Sequence, residues 1–432
     1  MVDQLKGSLL SGLVRRSWAD SNDHEPRLVS VLDPGTEYVK ALVVQLEGDR
    51  VVVIGEGMDR HKEMPFERGT RAVDLRLQQA CDEALRQAED MTESVTAQKN
   101  IPDHAVVSFP SQFTRQGAFT VQQKRTSPGT EITVKELEQV LARAERLALQ
   151  QLITHLGTTR TEVSLIGSEV IDVQVDEHSV SDPVGFRGDT LSVTVFNALA
   201  RNQHVAILDR LAEHLELNLL ALVPEDCALA DCLPMEEALV INMGGAVTSL
   251  AWVQGGCPKT TATLPLGGRH LTQRLATSFG LTPDRAETLK LRYGLGELSG
   301  EDAEAVGQAL VPGVVEWLAR VEVGLASLAA KRSLPPFIYV CGGGTSLPDV
   351  VEAVRGFPWL RHLKFVRYPE IHLFGAGLIP GVFNRTGRAW GYEMTLVAAL
   401  ARSAMPRKRR SDHIGGLFDR VVHKNISVYS GG

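Results

Sequence analysis

The chain has 432 residues, 44% of them hydrophobic, enough for roughly two to four domain-sized units with buried cores. A formal net charge of -7 argues against a general nucleic-acid binder, so no nucleic-acid partner is expected. Five cysteines without metal-ligand or framework spacing point to a reduced, cytoplasmic compartment, and the scattered histidines form no zinc pattern. No run of about 18 apolar residues is present, so no transmembrane helix is expected, and no basic segment precedes an apolar core as in a signal peptide.

Residues 1–28 form a polar extension around an apolar stripe, Leu5, Leu9, Leu10, Leu13, Val14 and Trp18. It is open between a membrane foot, a polymer contact and a helix docked on its own domain. Val29 to Val44 and Val51 to Ile54 read as the first strands of a sheet. Between them Asp33-Pro34-Gly35-Thr36-Glu37-Tyr38-Val39-Lys40 forms a polar hairpin tip. Such a tip can hold a phosphate: Gly35 lets the backbone approach, Thr36 donates a hydrogen bond, Lys40 supplies charge and Asp33 can hold a hydrated cation. The same four letters Asp-Pro-Gly-Thr also make an ordinary turn. Val73, Leu77, Ala80, Cys81, Ala84, Leu85 and Ala88 recur at helical spacing and predict a helix covering the sheet.

From about residue 104 to 196 a strand–strand–helix–strand–strand order suggests an inserted α+β unit. Its helix spans Thr133 to Leu156, with Leu137, Val140, Leu141, Ala144 and Leu147 on one face. A helix from Gln203 to Leu215 then leads into a strand, Leu219 to Val223. Glu237 to Val253 repeats the opening pattern of strand, glycine tip and strand, with Asn242, Gly244, Gly245 and Ala246 at the tip. The paired glycines expose amides that can wrap phosphate oxygens. Gly267 and Gly268 follow, then Glu287 and Lys290 on one helical face (i, i+3). Helices are expected over Thr272 to Tyr293 and Val314 to Lys331. A buried strand runs into Gly342-Gly343-Gly344-Thr345, where a flat ring or a phosphate can approach. The repeated opening suggests two related halves around a cleft.

These elements, in this order, resemble the actin/Hsp70/sugar-kinase superfamily, and more closely the FtsA family of bacterial cell-division proteins. Phosphate loop one corresponds to Asp33, Gly35, Thr36 and Lys40, loop two to Gly244 and Gly245, and the adenosine loop to Gly342, Gly343 and Gly344. The stretch Asp182 to Leu191 is similar to an FtsA segment of the inserted 1C subdomain. The resemblance implies an α/β actin-like ATPase fold of two related halves with an inserted 1C-type subdomain. It implies ATP and Mg2+ as ligands, with Asp33 and Asn242 at the metal. Gly35, Thr36, Glu37, Lys40, Gly244, Gly245, Ala246, Gly267, Gly268, Glu287, Lys290, Gly342, Gly343, Gly344 and Thr345 would surround the nucleotide. Glu225 matches the glutamate that positions water in some bacterial actins. The domains expected are 1–28, extension; 29–103, first part of 1A; 104–196, 1C; 197–270, end of 1A and start of 2A; 271–332, a short 2B-like region; 333–403, closing segment; and 404–432, tail.

One departure bears on chemistry. Loop two normally begins with Asp, and this chain has Asn242; Val247 and Ser249 stand where the family has Thr and Asp. Asn accepts a hydrogen bond but carries no charge for a cation, so nucleotide binding is expected to survive better than hydrolysis. The activity expected is a weak ATPase at most.

The tail combines the cations Arg407, Lys408, Arg409 and Arg410 with an apolar stripe, Ile414, Leu417, Phe418, Val421 and Val422, spaced for one helical face. This suits an anionic membrane surface, although Gly415 and Gly416 weaken such a helix, and a partner-binding peptide fits too. The resemblance then implies a self-assembling filament, peripheral on the inner face of the cell membrane, that tethers a division ring through the C-terminal peptide of an FtsZ-like tubulin homologue. A PilM-like platform for type IV pilus assembly, a metabolic kinase or phosphatase, and a pseudo-ATPase scaffold are the rival expectations.

Overall fold

The computed structural model describes residues 27–61, 75–330, 332–405 and 414–422. The N-terminal stripe and the cations Arg407 to Arg410 lie outside the described residues.

The chain begins with an antiparallel meander, β1 (Leu28–Pro34), β2 (Tyr38–Glu47) and β3 (Arg50–Arg60). Helix α1 (Leu75–Thr96) packs across it, burying Leu77, Ala80, Cys81, Ala84, Leu85 and Ala88. Two strand glycines make this contact close: a Cβ on Gly55 or Gly57 would stand 2.0 Å from a carbonyl oxygen of α1, that of Ala88 or Ala84. Alternation puts both glycines on the helix-facing side of β3, where they form a smooth track.

β4 (His104–Phe109) runs parallel to β1. It thus belongs to the first sheet rather than to the inserted unit expected from residue 104. The inserted sheet contains β5 (Thr114–Lys124), β6 (Val163–Val175), β7 (His178–Ser179) and β8 (Thr190–Arg201) in the order β5-β8-β6-β7, with α2 (Val134–Leu156) packed on it. Thr133 caps α2 by accepting from the Glu136 amide, and Gly157, left-handed at φ 58°, ends it. Leu147, expected on the buried face, is exposed; Ala148 and Leu149 take that place. The Asp182 to Leu191 segment is a structural tie. Phe186 and Gly185 exchange backbone hydrogen bonds with Ile132. The buried Arg125 holds Glu136 and the Gly188 carbonyl together.

After α3 (Asn202–His214), β9 (Asn218–Pro224) pairs parallel with β4 and leads into α4 (Glu225–Ala230). The second half then repeats the first: β10 (Glu237–Met243), β11 (Thr248–Gln254) and β12 (Cys257–Leu264) form another antiparallel meander. Helices α5 (Gly268–Phe279), α6 (Pro283–Gly294) and α7 (Gly300–Ala329) cover it. The single helical stretch expected over Thr272 to Tyr293 is broken by left-handed Gly280 and by Pro283. Conversely α7 begins fourteen positions before the Val314 start expected, running through Pro312, because Val306 and Leu310 continue its buried face. β13 (Phe337–Cys341), α8 (Pro348–Gly356) and β14 (Glu370–Leu373) add two parallel strands beyond β10. β15 (Val382–Asn384) returns to the edge of the first sheet and α9 (Thr395–Ser403) fills the space between the halves.

The sheets read β15-β3-β2-β1-β4-β9 and β12-β11-β10-β13-β14. Apart from β15 they have the same topology: a meander whose first strand carries two parallel strands on its other side. The inserted unit grows from the first half but also touches the second. Gly117 on β5 lies against the Lys259 carbonyl, its added Cβ 3.4 Å away, and Cys257 Sγ lies 3.6 Å from Glu169 on β6. Finally, residues 414–422 form a helix, α10, whose Ile414, Leu417, Phe418, Val421 and Val422 join the core made by α2, β6 and β8. The stripe expected to face a membrane is packed against the chain itself.

The glycine track gives a direct stability test. Gly57→Ala should lower the free energy of unfolding by about 1–3 kcal/mol, the usual effect of overpacking. Urea unfolding followed by far-UV circular dichroism measures it, and an unchanged midpoint would refute the close α1–β3 contact.

Candidate functional site

The two meanders present their first turns to each other. In the first, the register places Asp33 opposite Lys40, and Lys40 Nζ donates to Asp33 Oδ2 at 3.4 Å. The other oxygen, Oδ1, accepts from Ser108 Oγ of β4 at 2.8 Å. Asp33 is buried, so its charge is held by two donors rather than by water. Gly35 is required by the turn: a Cβ there would stand 2.6 Å from the Tyr38 carbonyl. His61 Nε2 lies 2.6 Å from the Gly35 carbonyl and holds the turn from behind.

In the second half the tip at Gly244 and Gly245 touches the first tip. A Cβ on Gly245 would stand 2.7 Å from Glu37 Cβ, and the Ala246 amide donates to Thr36 Oγ1 at 2.9 Å. A ring of charge encloses this contact. Glu37 Oε1 accepts from Arg60 Nη2 at 2.8 Å and Nε at 2.9 Å, while Oε2 accepts from Arg269 Nε at 3.0 Å. Arg60 also reaches Asp284 on α6 at 3.3 Å. Both guanidinium groups bridge the halves.

Behind this contact lies a cavity of about 340 Å3, within the range of small-molecule sites. Its walls bring together Asp33, Gly35, Thr36, Glu37, Lys40, Glu225, Asn242, Gly244, Gly245, Gly268, Glu287, Lys290, Gly342, Gly343 and Gly344. Three other expected residues sit just outside. The Ala246 amide is engaged by Thr36. Gly267 backs loop two, its added Cβ 2.5 Å from the Gly244 carbonyl, and Thr345 is buried beneath the third loop. In loop two Val247 and Ser249 line the cavity, whereas Thr248 turns to the core and accepts from Trp317 Nε1 at 2.9 Å.

Glu287 and Lys290 are not an exposed helix pair. Both are buried, with Lys290 Nζ donating to Glu287 Oε2 at 2.7 Å, to Thr272 Oγ1 at 2.8 Å and to the Gly268 carbonyl at 3.1 Å; Thr272 Oγ1 also bonds Glu287. On the third loop Gly342 has φ +87°, and a Cβ would stand 2.4 Å from Asn242 Oδ1. This glycine lets the third loop cross directly over β10.

Glu225 enters the cavity from the start of α4 and accepts from Ser111 Oγ at 3.2 Å. Burial, reinforced by the charges of Asp33 and Asp226, pushes its carboxyl up to about 8. Burial likewise pushes Asp226 up to about 6, although Gln116 Nε2 donates to it at 2.6 Å.

Sequence reading missed Arg269, Arg60 and Gln112. Arg269 follows Gly268 directly but finds its partner Glu37 across the cleft, and Arg60, at the end of β3, pairs with Glu37 in its own half and with Asp284 across the cleft. Gln112 lines the cavity, and its buried Nε2 has no partner. That free donor, with three glycine-lined backbone tracks, fits an acceptor-rich ligand. Among the described residues no group of three or more His, Cys, Asp or Glu side chains is arranged to hold a metal by itself.

Two halves of equal topology, meeting at paired glycine turns over such a cavity, define the actin-like ATPase fold. In a chain of the PilM–PilN type IV pilus biogenesis complex the likeness is one of fold: TM-score 0.61, 19% identity, 88% of this chain and 100% of that one. By sequence, residues 239–377 match the family model described as cell division protein FtsA. Cell division protein FtsA of Neisseria meningitidis serogroup B is 24% identical over 425 residues, 95% of this chain and 90% of that protein. FtsA of Pseudomonas aeruginosa is 22% identical over 394 residues, 82% and 88% respectively. The chain is FtsA-like.

The raised Glu225 gives a pH signature. An acid whose folded pKa exceeds its unfolded value stabilises the fold below the unfolded pKa and loses that contribution as pH rises through the folded one. Stability of the ligand-free chain should therefore fall between the unfolded glutamate value of about 4.3 and about 8. Glu225→Gln should flatten that fall in urea titrations across this pH range; equal slopes would reject the assignment.

Proposed function

We propose that this chain is an ATP-binding, filament-forming protein of the cell-division machinery that tethers an FtsZ-type ring to the cytoplasmic membrane. The observation that carries the nucleotide reading is the contact of the two glycine tips, one from each half, beside Lys40 and Arg269. Amides and cations converge there on one point, the arrangement that phosphate oxygens need. The FtsA similarity supports the assignment to division and to assembly with copies of itself. Among the described residues no helix is long and apolar enough to cross a membrane; the proposed attachment is peripheral, through the C-terminal stripe.

In this reading Lys40, Arg269 and the amide of Gly245 take the phosphates, the Gly244 amide being spent on the Val247 carbonyl within its turn, and the track at Gly342 to Gly344 takes the nucleoside. Glu287 and Lys290 form the floor beside it. Mg2+ would be held by Asp33, with Asn242 as a neutral second contact, and would supply charge neutralisation for the phosphates. Glu225 is the group available to orient water; burial beside Asp33 and Asp226 favours its protonated form, in which it is a poor acceptor. ATP then acts mainly as a bridge that fixes the angle between the halves and favours an assembly-competent state. Weak membrane affinity of single chains is multiplied along a filament. A second reading, a nucleotide-binding scaffold without turnover, is favoured by Asn242.

Phosphate release by Asn242→Asp should exceed that of the native chain, because a charged second contact holds the metal better. Equal rates would place the limit elsewhere. Glu37→Ala should tighten binding of a fluorescent ATP analogue several-fold, by leaving Arg269 without its carboxylate and Arg60 with Asp284 alone, whereas Arg269→Ala should weaken it. The opposite order would reject the phosphate assignment. Electron microscopy with and without ATP tests assembly, and monomers in every condition would sink the filament reading.

A further inference from the structure

Helix α10 is stabilised by what it touches. Nine residues that include Gly415 and Gly416 do not hold a helix alone in water. Here Ile414, Leu417, Phe418, Val421 and Val422 are each 8% exposed or less, in one core with α2, β6 and β8. Arg420 adds an ion pair to Glu138 on α2 at 3.7 Å. The entire apolar face is covered at once, so none of it remains to enter a bilayer while the helix is seated.

The seat is also imperfect. A cavity of about 360 Å3 remains between β6, β9 and α10, lined by Val170, Asp172, Val180, Ile414 and Phe418 among others. The cavity is partly open to solvent, so this edge of the seat is not sealed as a core would be. The acidic Asp172 and Asp419 stand on its walls. These features suit a contact that is made and released. Eight residues, 406–413, join the seated helix to the body, and four consecutive cations lie among them.

We infer that the face of the inserted unit beside α2 is a binding surface for the chain's own C-terminal amphipathic helix, and that this surface and an anionic lipid surface compete for the same apolar stripe. The competition rests on the membrane reading above; the seat itself does not. Docked, the chain presents no apolar foot. Released, the stripe and its four neighbouring cations engage lipid together.

The test uses the full chain and Val180→Asp, a half-buried position at the rim of the seat, with Val180→Asn as an uncharged second variant. Amide hydrogen exchange is read at 414–422 and along α2, and pelleting is measured with vesicles of equal parts phosphatidylglycerol and phosphatidylcholine and of phosphatidylcholine alone. In the native chain without lipid, 414–422 should be protected. Both variants should speed exchange there and lower the anionic lipid needed for half-pelleting, each by about tenfold, the equivalent of about 1.4 kcal/mol. The protection of α2 outside the contact should stay, which shows that the fold survives. Anionic vesicles should deprotect the seat face of β6 in the native chain while 414–422 stays protected. Exchange at 414–422 as fast in the native chain as in the variants would overturn the seat. Equal pelleting despite different exchange would overturn the competition. No pelleting by any variant would overturn the competition and the membrane reading together, with exchange still reporting separately on the seat.

Discussion

The molecule turns on one small contact, the meeting of Thr36 with the Ala246 amide across the cleft. Each half can build its own sheet, but the site exists only where the two hairpin tips touch. That approach is possible because Gly245 has no side chain to collide with Glu37. The contact is provisional in its chemistry. In the proposed function Arg269, one of the groups that close the cleft, is also a phosphate ligand, so a bound nucleotide would replace its bond to Glu37. Glu37, a carboxylate held between two guanidinium groups, would on that proposal stand where a phosphate binds.

The paired halves were legible because their signals are local. An apolar run, a glycine tip and a second apolar run can be read from about twenty consecutive residues, and the structure returns both tips as hairpin turns with Asp33 opposite Lys40. The α1 and α2 helices were legible for the same reason, since periodicity needs no knowledge of the partner. The boundaries of the inserted unit were not. His104 to Phe109 looks like any strand, and only its parallel pairing with β1 decides which sheet owns it. Helix α7 was read as starting at Val314, whereas the buried face of Val306 and Leu310 carries it back through Pro312 to Gly300.

The candidate site divides in the same way. Glycines announce a need for close approach, and most of those singled out do line the cavity. Arg269 and Gln112 carry no such announcement, because a cation or an amide is informative only once its surroundings are known. Glu287 and Lys290 show the converse: their spacing suggested a pair, but not that both are buried against the start of α5. The C-terminal stripe shows how far periodicity reaches. It says that a helix has one apolar face and is silent on whether lipid or protein meets it, since both are apolar surfaces.

The inserted unit is joined to the first half by the chain, yet it rests on the second half where Gly117 meets Lys259 and Glu169 meets Cys257. A body hinged on one wall of a cleft and leaning on the other acts as a pointer. Widening the angle between the walls must tilt it or lift it from its rest, and a rotation that is slight at the glycine tips becomes a larger displacement at the far end of its sheet. Were the cleft to change its angle, the outer surface of that sheet would move with it, at a distance from the glycine tips.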